Sequence, residues 1–477
     1  MGYTSQNELT KYLTNILLIV LLISCNSKKE DLKIVFTGDI ILDRGVKDEL
    51  SLHGDSLLTN SFGFLGKPEF LIVNLEGALT DSGIQQTDKY NFKADTLKAS
   101  VLKKAGVTHV SIANNHIYDY GKIGYINTLN ALENNNLKPL GNTNHPTIIT
   151  NGKYKCAVLS ASLTAHNDSL PISSIKDLKS SIKTFLYSLK SIPLVLYIHW
   201  GLELQPRPEK WQTNLAKELV NLGVDAIIGH HPHITQTIEF INDKPIIYSL
   251  GNFIADAYLP NTQRSYIVEL GIKDNIESIK LIPTRLDRYF PKQLSLNEQI
   301  SDIKEHIKCS DISLSRENLM WNIKQTNKIN FSESTDLWLY SEKNTISTIK
   351  KINPYSHLLE FQKNGKATIP INLHGKLSEF QIADINNDSQ IDILIGINKK
   401  VKFDPTIKKR INIYTLQDDA LIPLWLGTKF IHDVESFDIF INENKNYLTT
   451  IERINETKKA KRVYEWDDFG FALTELN

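Results

Sequence analysis

From residue 33 to about residue 254, short apolar runs alternate with stretches of helical spacing, and few folds other than a layered α/β one accommodate that alternation. Residues 33–37, 70–73, 108–112, 153–160, 193–198 and 224–228 read as buried strands. Residues 97–104, 123–132, 176–189 and 210–222 read as helices, with Gly106 and Gly223 placed as stop signals. Strand after strand ends in a side chain that offers oxygen or nitrogen: Asp39, Glu76, Asn115, His199, His231 and His233. Ligand sites of open α/β sheets lie at strand ends of this kind.

The densest such ending is Gly229-His230-His231-Pro232-His233, which holds three of the 13 histidines. A His-x-His pair on a loop aims two imidazoles at one point, and imidazole suits Mn, Fe and Zn. Two divalent ions about 3.5–4 Å apart clamp an oxyanion and activate water. Such a pair needs a bridging carboxylate, and Glu76, at a central strand end, is the natural bridge. Asp39 with a histidine completes one ion, and Asn115, through its carbonyl oxygen, with two histidines the other. His116 is left beside the site as a proton donor to a leaving group, with Asp119 to orient it. Arg44 is placed to receive an anionic group in bidentate fashion.

At 477 residues the chain is expected to form two or three domains, and 41% apolar and 23% charged residues are values of a folded protein. With a formal net charge of zero, nothing in the sequence suggests a nucleic-acid binder, which would show a basic face. Residues 1–25 carry Lys11, an apolar run over 16–23 and then Ser24-Cys25. That run is too short to span a bilayer and matches a signal-peptide core. Leu22-Ile23-Ser24-Cys25 resembles the bacterial lipobox, whose cysteine is lipidated. This implies an exported protein anchored by Cys25 to a bacterial membrane and facing periplasm or exterior, with residues 26–32 as a tether. Cys156 and Cys309 make no disulfide framework, and Cys156 reads as a buried thiol.

The motifs taken together resemble the CapA family of poly-gamma-glutamate capsule proteins. They are Phe36-Thr37-Gly38-Asp39, Asn74-Leu75-Glu76, Ala113-Asn114-Asn115-His116 with Asp119-Tyr120-Gly121, His199-Trp200-Gly201 with Glu203, Gly229-His230-His231-Pro232-His233, and Tyr248-Ser249-Leu250-Gly251-Asn252-Phe253. The resemblance covers 33–288. It implies a four-layer α/β/β/α fold similar to calcineurin-like metallophosphoesterases, a dinuclear site and a role in capsule or envelope polymer synthesis and export. It adds His230 and Glu203 to the site. Two departures stand out: Ile41 replaces the histidine of the first metallophosphoesterase motif, and Asn74-Leu75-Glu76 replaces the aspartate of the second. The first metal position is therefore expected to be weak or rebuilt.

Residues 289–335 read as a linker, polar and helix-like over 301–327, and 336–477 as a smaller β-rich domain. Asp384, Asn386, Asp388 and Asp392 stand at loop positions 1, 3, 5 and 9 and suit Ca²⁺. Ser389 and Ile395 exclude an EF-hand, and the loop resembles that of FG-GAP repeats in β-propellers. Two functions compete. One is an anchored metal-dependent hydrolase of an anionic envelope polymer or its precursor. The other is a metal-stabilised, non-catalytic scaffold that binds nascent polymer or a membrane synthase complex.

Overall fold

The computed structural model describes residues 31–474, except 87–89, 165–168, 307–311, 318–319, 326–327, 332–334, 343–344, 364–365, 402–403, 418–419, 428–429, 444 and 468–469. Cys25 and the whole signal segment lie outside the described residues.

Two sheets build the N-terminal region. In the first, Leu32–Ile40, Phe70–Leu75, His109–Ser111 and Lys138–Leu140 run parallel in that order. Arg264–Ile272 and Ile276–Asp287 add antiparallel strands on the other side. In the second, Lys155–Ser162, Leu194–His199, Ala226–His230 and Lys244–Ile247 are parallel, with antiparallel edges Thr147–Thr150 and Ile238–Ile241.

The apolar runs are continuous because both faces of these strands are buried. Successive side chains of a strand point to opposite faces. Phe36, Ile72, Val195, Tyr197 and Ile228 enter one cluster shared by the two sheets. Their neighbours Val35, Leu71 and Val73 pack with Val46, Leu102 and Leu132 from the helices Gly45–His53, Lys98–Lys104 and Gly121–Asn134. Leu196, Ile198 and Ile227 pack with Leu178, Ile182, Leu215 and Leu219 from the helices Ile175–Leu189 and Lys210–Leu222. Between the sheets the Tyr197 hydroxyl donates to the Thr37 carbonyl at 3.0 Å. The helices Ile175–Leu189 and Lys210–Leu222 begin where expected. Ser174 accepts from the Asp177 amide, and Glu209 and Gln212 form a capping box.

The span 289–335 is not a polar helical linker. The helix is Leu296–His306, and the strands Ile312–Glu317 and Met320–Gln325 follow it. Met320–Gln325 pairs with Ile276–Asp287, so the first sheet continues into the C-terminal region. Trp321 explains this, being fully buried with its indole N–H donating to Gln299 Oε1 at 2.9 Å. The C-terminal region is β-rich, as expected. Beyond the shared sheet it holds a five-stranded sheet that includes Lys376–Ala383, Asp392–Val401 and Asp404–Gln417. A four-stranded antiparallel sheet follows, Asp433–Asn442 to Gly470–Leu473.

Candidate metal centre

The parallel register brings the polar strand ends to one place. Asp39 stands beside Asn74 in one pairing and beside Asn252 in another, and His230 pairs with His199. Two glycines make the approach possible. A Cβ on Gly38 would lie 2.1 Å from the Gly251 carbonyl oxygen, and one on Gly229 would lie 2.0 Å from the Tyr248 carbonyl oxygen. His231 and His233 take left-handed backbone conformations, φ 96° and 58°. Such conformations cost about 1–3 kcal/mol each and cluster at functional sites.

Glu76 is the centre of the arrangement. It is 1% exposed, and neither carboxylate oxygen has a hydrogen-bond partner among the described residues. Its Oε1 lies 3.6 Å from His199 Nε2, 3.6 Å from His233 Nε2 and 3.9 Å from His116 Nε2. Glu76, His231 and His233 place one ligand atom each within 4.8 Å of one another. A buried carboxylate without partners is costly unless a cation completes it. Carboxylate plus imidazole is a donor set for divalent Mn, Fe or Zn. The residues therefore fit a metal ion.

The expected ligands separate into two groups. Asn115 Oδ1 lies 2.7 Å from His199 Nε2, which is also 3.1 Å from His231 Nδ1, so these three converge beside Glu76. Asp39 is held differently. Its Oδ1 accepts from Asn74 Nδ2 at 2.7 Å and lies 2.8 Å from His230 Nδ1, while Oδ2 lies 3.6 Å from His233 Nδ1. Asn74 and His230 thus occupy one Asp39 oxygen, while the other accepts the His231 amide at 3.4 Å and lies near His233. Asn252, whose Oδ1 lies 2.9 Å from His233 Nδ1, carries no expected role from composition or spacing. Its only sequence signal is the motif 248–253.

Burial and neighbouring charge set the protonation states. Burial pushes the Glu76 carboxyl well above its ordinary value, and the Asp39 charge adds to this. Burial opposes the Asp39 charge, but His230, His199 and His233 outweigh it and hold that carboxyl well below its usual range. Burial, with His233 close by, pushes His231 down to about 3, and burial likewise lowers His199. Both imidazoles are therefore neutral at pH 7, the form that binds metal.

His116 and Asp119 lie beside the centre, hydrogen-bonded to each other. His116 Nδ1 lies 2.8 Å from Asp119 Oδ2, which also accepts the Phe92 amide at 2.7 Å. The other imidazole nitrogen is thereby turned towards Glu76. Arg44 and Glu203 line a cleft of about 260 Å³ that also contains His116, His233 and Asn252.

The second expected site differs. Asp384 accepts from the amides of Asp388 at 2.9 Å and Ser389 at 2.8 Å. Asp388 Oδ1 accepts the Gln390 amide, and Asp392 Oδ2 the Ile385 amide. Among the described residues, Asp384, Asp388 and Asp392 do not form a group with ligand atoms as close as those of Glu76, His231 and His233.

Fold and site together define an α/β protein with a buried carboxylate–imidazole centre. Residues 33–257 match the family described as "Bacterial capsule synthesis protein PGA_cap", and this N-terminal region belongs to that family. The capsule biosynthesis protein CapA of Bacillus anthracis is 29% identical over 300 residues, which cover 56% of this chain and 71% of that protein. The PGA biosynthesis protein CapA of Bacillus subtilis (strain 168) is 29% identical over 259 residues, 50% of this chain and 67% of that protein. A probable polyglutamine synthesis accessory protein of Mycobacterium tuberculosis is 22% identical over 253 residues, 46% of this chain and 66% of that protein.

Proposed function

We propose that the protein acts in the synthesis or export of a poly-gamma-glutamate-type capsule or envelope polymer, as a metal-dependent hydrolase of the anionic polymer or its precursor. The observation that carries this reading is Glu76, buried without a hydrogen-bond partner and faced by three imidazoles. The name of the Bacillus subtilis relative supplies the polymer class, and that of the Bacillus anthracis relative the capsule. The reading takes the two N-terminal sheets and their helices as a four-layer metallophosphoesterase-like domain.

Glu76, His231, His233, His199 and Asn115 would hold the metal, with Asp39 at a second position. Divalent ions supply Lewis acidity and stabilise developing negative charge on oxygen. The chain's own residues do the rest. Asp119 fixes the His116 imidazole through Nδ1, so Nε2 delivers a proton to the leaving group. Burial of Glu76, His199 and His230 keeps water from screening these charges. The test is metal content of the purified full chain, with hydrolysis of a generic phosphodiester and of γ-linked glutamate oligomers. A metal-free protein without turnover on either substrate overturns the reading.

A metal-stabilised scaffold is the second reading. It is favoured by the occupation of one Asp39 oxygen by Asn74 and His230, which weakens a second metal position. Lipidation at Cys25 would hold either form on the membrane beside a synthase complex, and Cys25→Ser should release it. In the C-terminal region we propose propeller-like packing of the short antiparallel sheets and a Ca²⁺ ion at Asp384, Asn386, Asp388 and Asp392. Asp392 supports the ion. It is fully buried, its Oδ1 has no hydrogen-bond partner, and burial pushes its carboxyl up to about 6.

A further inference from the structure

The cleft beside the metal centre holds an arginine without an ion-pair partner among the described residues, although Glu203 and Asp256 line the same cleft. Arg44 follows the first strand in a left-handed conformation, φ 52°. Its guanidinium carbon lies 4.8 Å from the centroid of the Tyr90 ring and 4.7 Å from that of Phe92. Among the described residues the guanidinium has these ring partners and no ion-pair partner. Rings fix an arginine in place without cancelling its charge, so the planar fork stays available to an oxyanion. Phe92 joins this arginine to the proposed proton donor. Its ring lies 4.4 Å from the His116 ring, and its amide donates to Asp119, which orients His116.

The mouth of the same cleft is apolar although it faces water. Tyr258 is 72% exposed, Tyr90 64%, Leu259 51% and Leu204 44%. Four large apolar side chains around one opening fit an organic ligand better than a hydrated inorganic ion.

We propose that Arg44, braced on Tyr90 and Phe92, is the residue that selects the substrate: it binds the oxyanion of an organic ligand whose apolar part packs on Tyr90 and Tyr258. The oxyanion is a carboxylate of an acidic polymer or a phosphate of an organic phosphoester. This deepens the proposed function by placing the susceptible bond next to His116, and the anion subsite itself needs no metal.

Calorimetric titration of the full chain as purified, with metal content measured on the same batch, tests this. The probes are phenylphosphonate, a γ-linked glutamate trimer and inorganic phosphate. At least one organic probe should bind more tightly than inorganic phosphate, and which one does so identifies the oxyanion. Arg44→Gln should weaken that binding about tenfold or more, the scale of hydrogen bonds to a charged group, with the metal content unchanged. Arg44→Lys should recover only part of it, because ammonium lacks the fork. Tyr90→Ala should reduce the preference for the organic probe. Wild-type binding by Arg44→Gln, no binding of any probe to wild type, or equal affinity for inorganic phosphate overturns the proposal. An Arg44 effect on a chain that holds no metal would leave the subsite standing and remove the hydrolase reading.

Discussion

The loop 229–233 and the loop 384–392 both have the residue types of a metal site, but the structure treats their polar atoms in opposite ways. Facing the first, Glu76 from a neighbouring strand end has no hydrogen-bond partner, and two histidines of the loop are held in strained backbone conformations around it. In the second, Asp384, Asp388 and one oxygen of Asp392 accept backbone amides of their own loop, and only Asp392 Oδ1 is buried without a hydrogen-bond partner. A buried carboxylate without partners creates a demand for a cation, whereas a loop that satisfies most of its own carboxylate oxygens creates a much smaller one. A list of ligand-type residues is therefore weaker evidence than the state of their lone pairs.

The largest expected effect lies in the first loop. His231→Ala or His233→Ala should abolish metal binding, and with it any turnover. Stabilisation by metal at a hundredfold excess over Kd, about 2.7 kcal/mol, should vanish with it. Metal analysis and thermal melts with and without Mn²⁺ measure both. Glu76→Gln sharpens the contrast. In metal-free protein it should be neutral or stabilising, because it removes a buried acid whose ionisation burial and Asp39 oppose, while it should erase the gain on adding Mn²⁺. Equal melting of wild type and Glu76→Gln with metal present would place Glu76 outside the centre.

Next in size is His116→Ala. It should keep its metal and fold but lose about 10²–10⁴-fold of the hydrolytic rate. Complementation of a deletion strain by His116→Ala and His233→Ala, side by side, separates the two functions. Full rescue by the first alone favours the scaffold.

Acid should then reach the N-terminal region through His109. Burial, with Lys138 and Lys103 nearby, pushes this histidine down to about 4. Its folded value is below its unfolded one, so it contributes stability above about pH 6.5 that is lost as the pH falls towards 4. The loss should be roughly 2–3 kcal/mol, read from urea melts across that range. His109→Gln should flatten the dependence, and an unchanged slope would show that other groups carry it.

The smallest effect belongs to the second loop. Ca²⁺ should raise the melting temperature only slightly, because it competes with amides already bound, and Asp388→Ala should remove the response. A calcium shift as large as the Mn²⁺ shift would break the contrast between the loops.

Much of the centre was legible in the sequence. The apolar runs located the strands, and His231-Pro232-His233 announced two imidazoles on one loop. Phe92 and Asn252 were not legible as neighbours of His116 and His233. Phe92 meets His116 through a loop contact, and Asn252 meets Asp39 through a parallel pairing, and neither leaves a periodic signal. The segment 301–327 misled because its polar composition hid short strands that need a partner edge. Met320–Gln325 is a strand because Ile276–Asp287 offers that edge and Trp321 fills the space beneath it.

The sequence by itself determined where the main buried strands and four of the helices lie in the first half of the chain, since burial on both faces requires uninterrupted apolar runs and caps mark the helix ends. The helix Gly45–His53 and the short strands Lys138–Leu140 and Thr147–Thr150 carried no such signal. It also determined which donor types reach the strand ends. Only the tertiary structure decided which donors remain unsatisfied. Asp39 and Glu76 look alike as strand-end carboxylates, yet register places Asn74 and His230 on one and leaves the other facing imidazoles without a hydrogen-bond partner. Hydrogen bonding at a buried site depends on distances of a few tenths of an ångström between segments far apart in the chain, and residue spacing does not encode them.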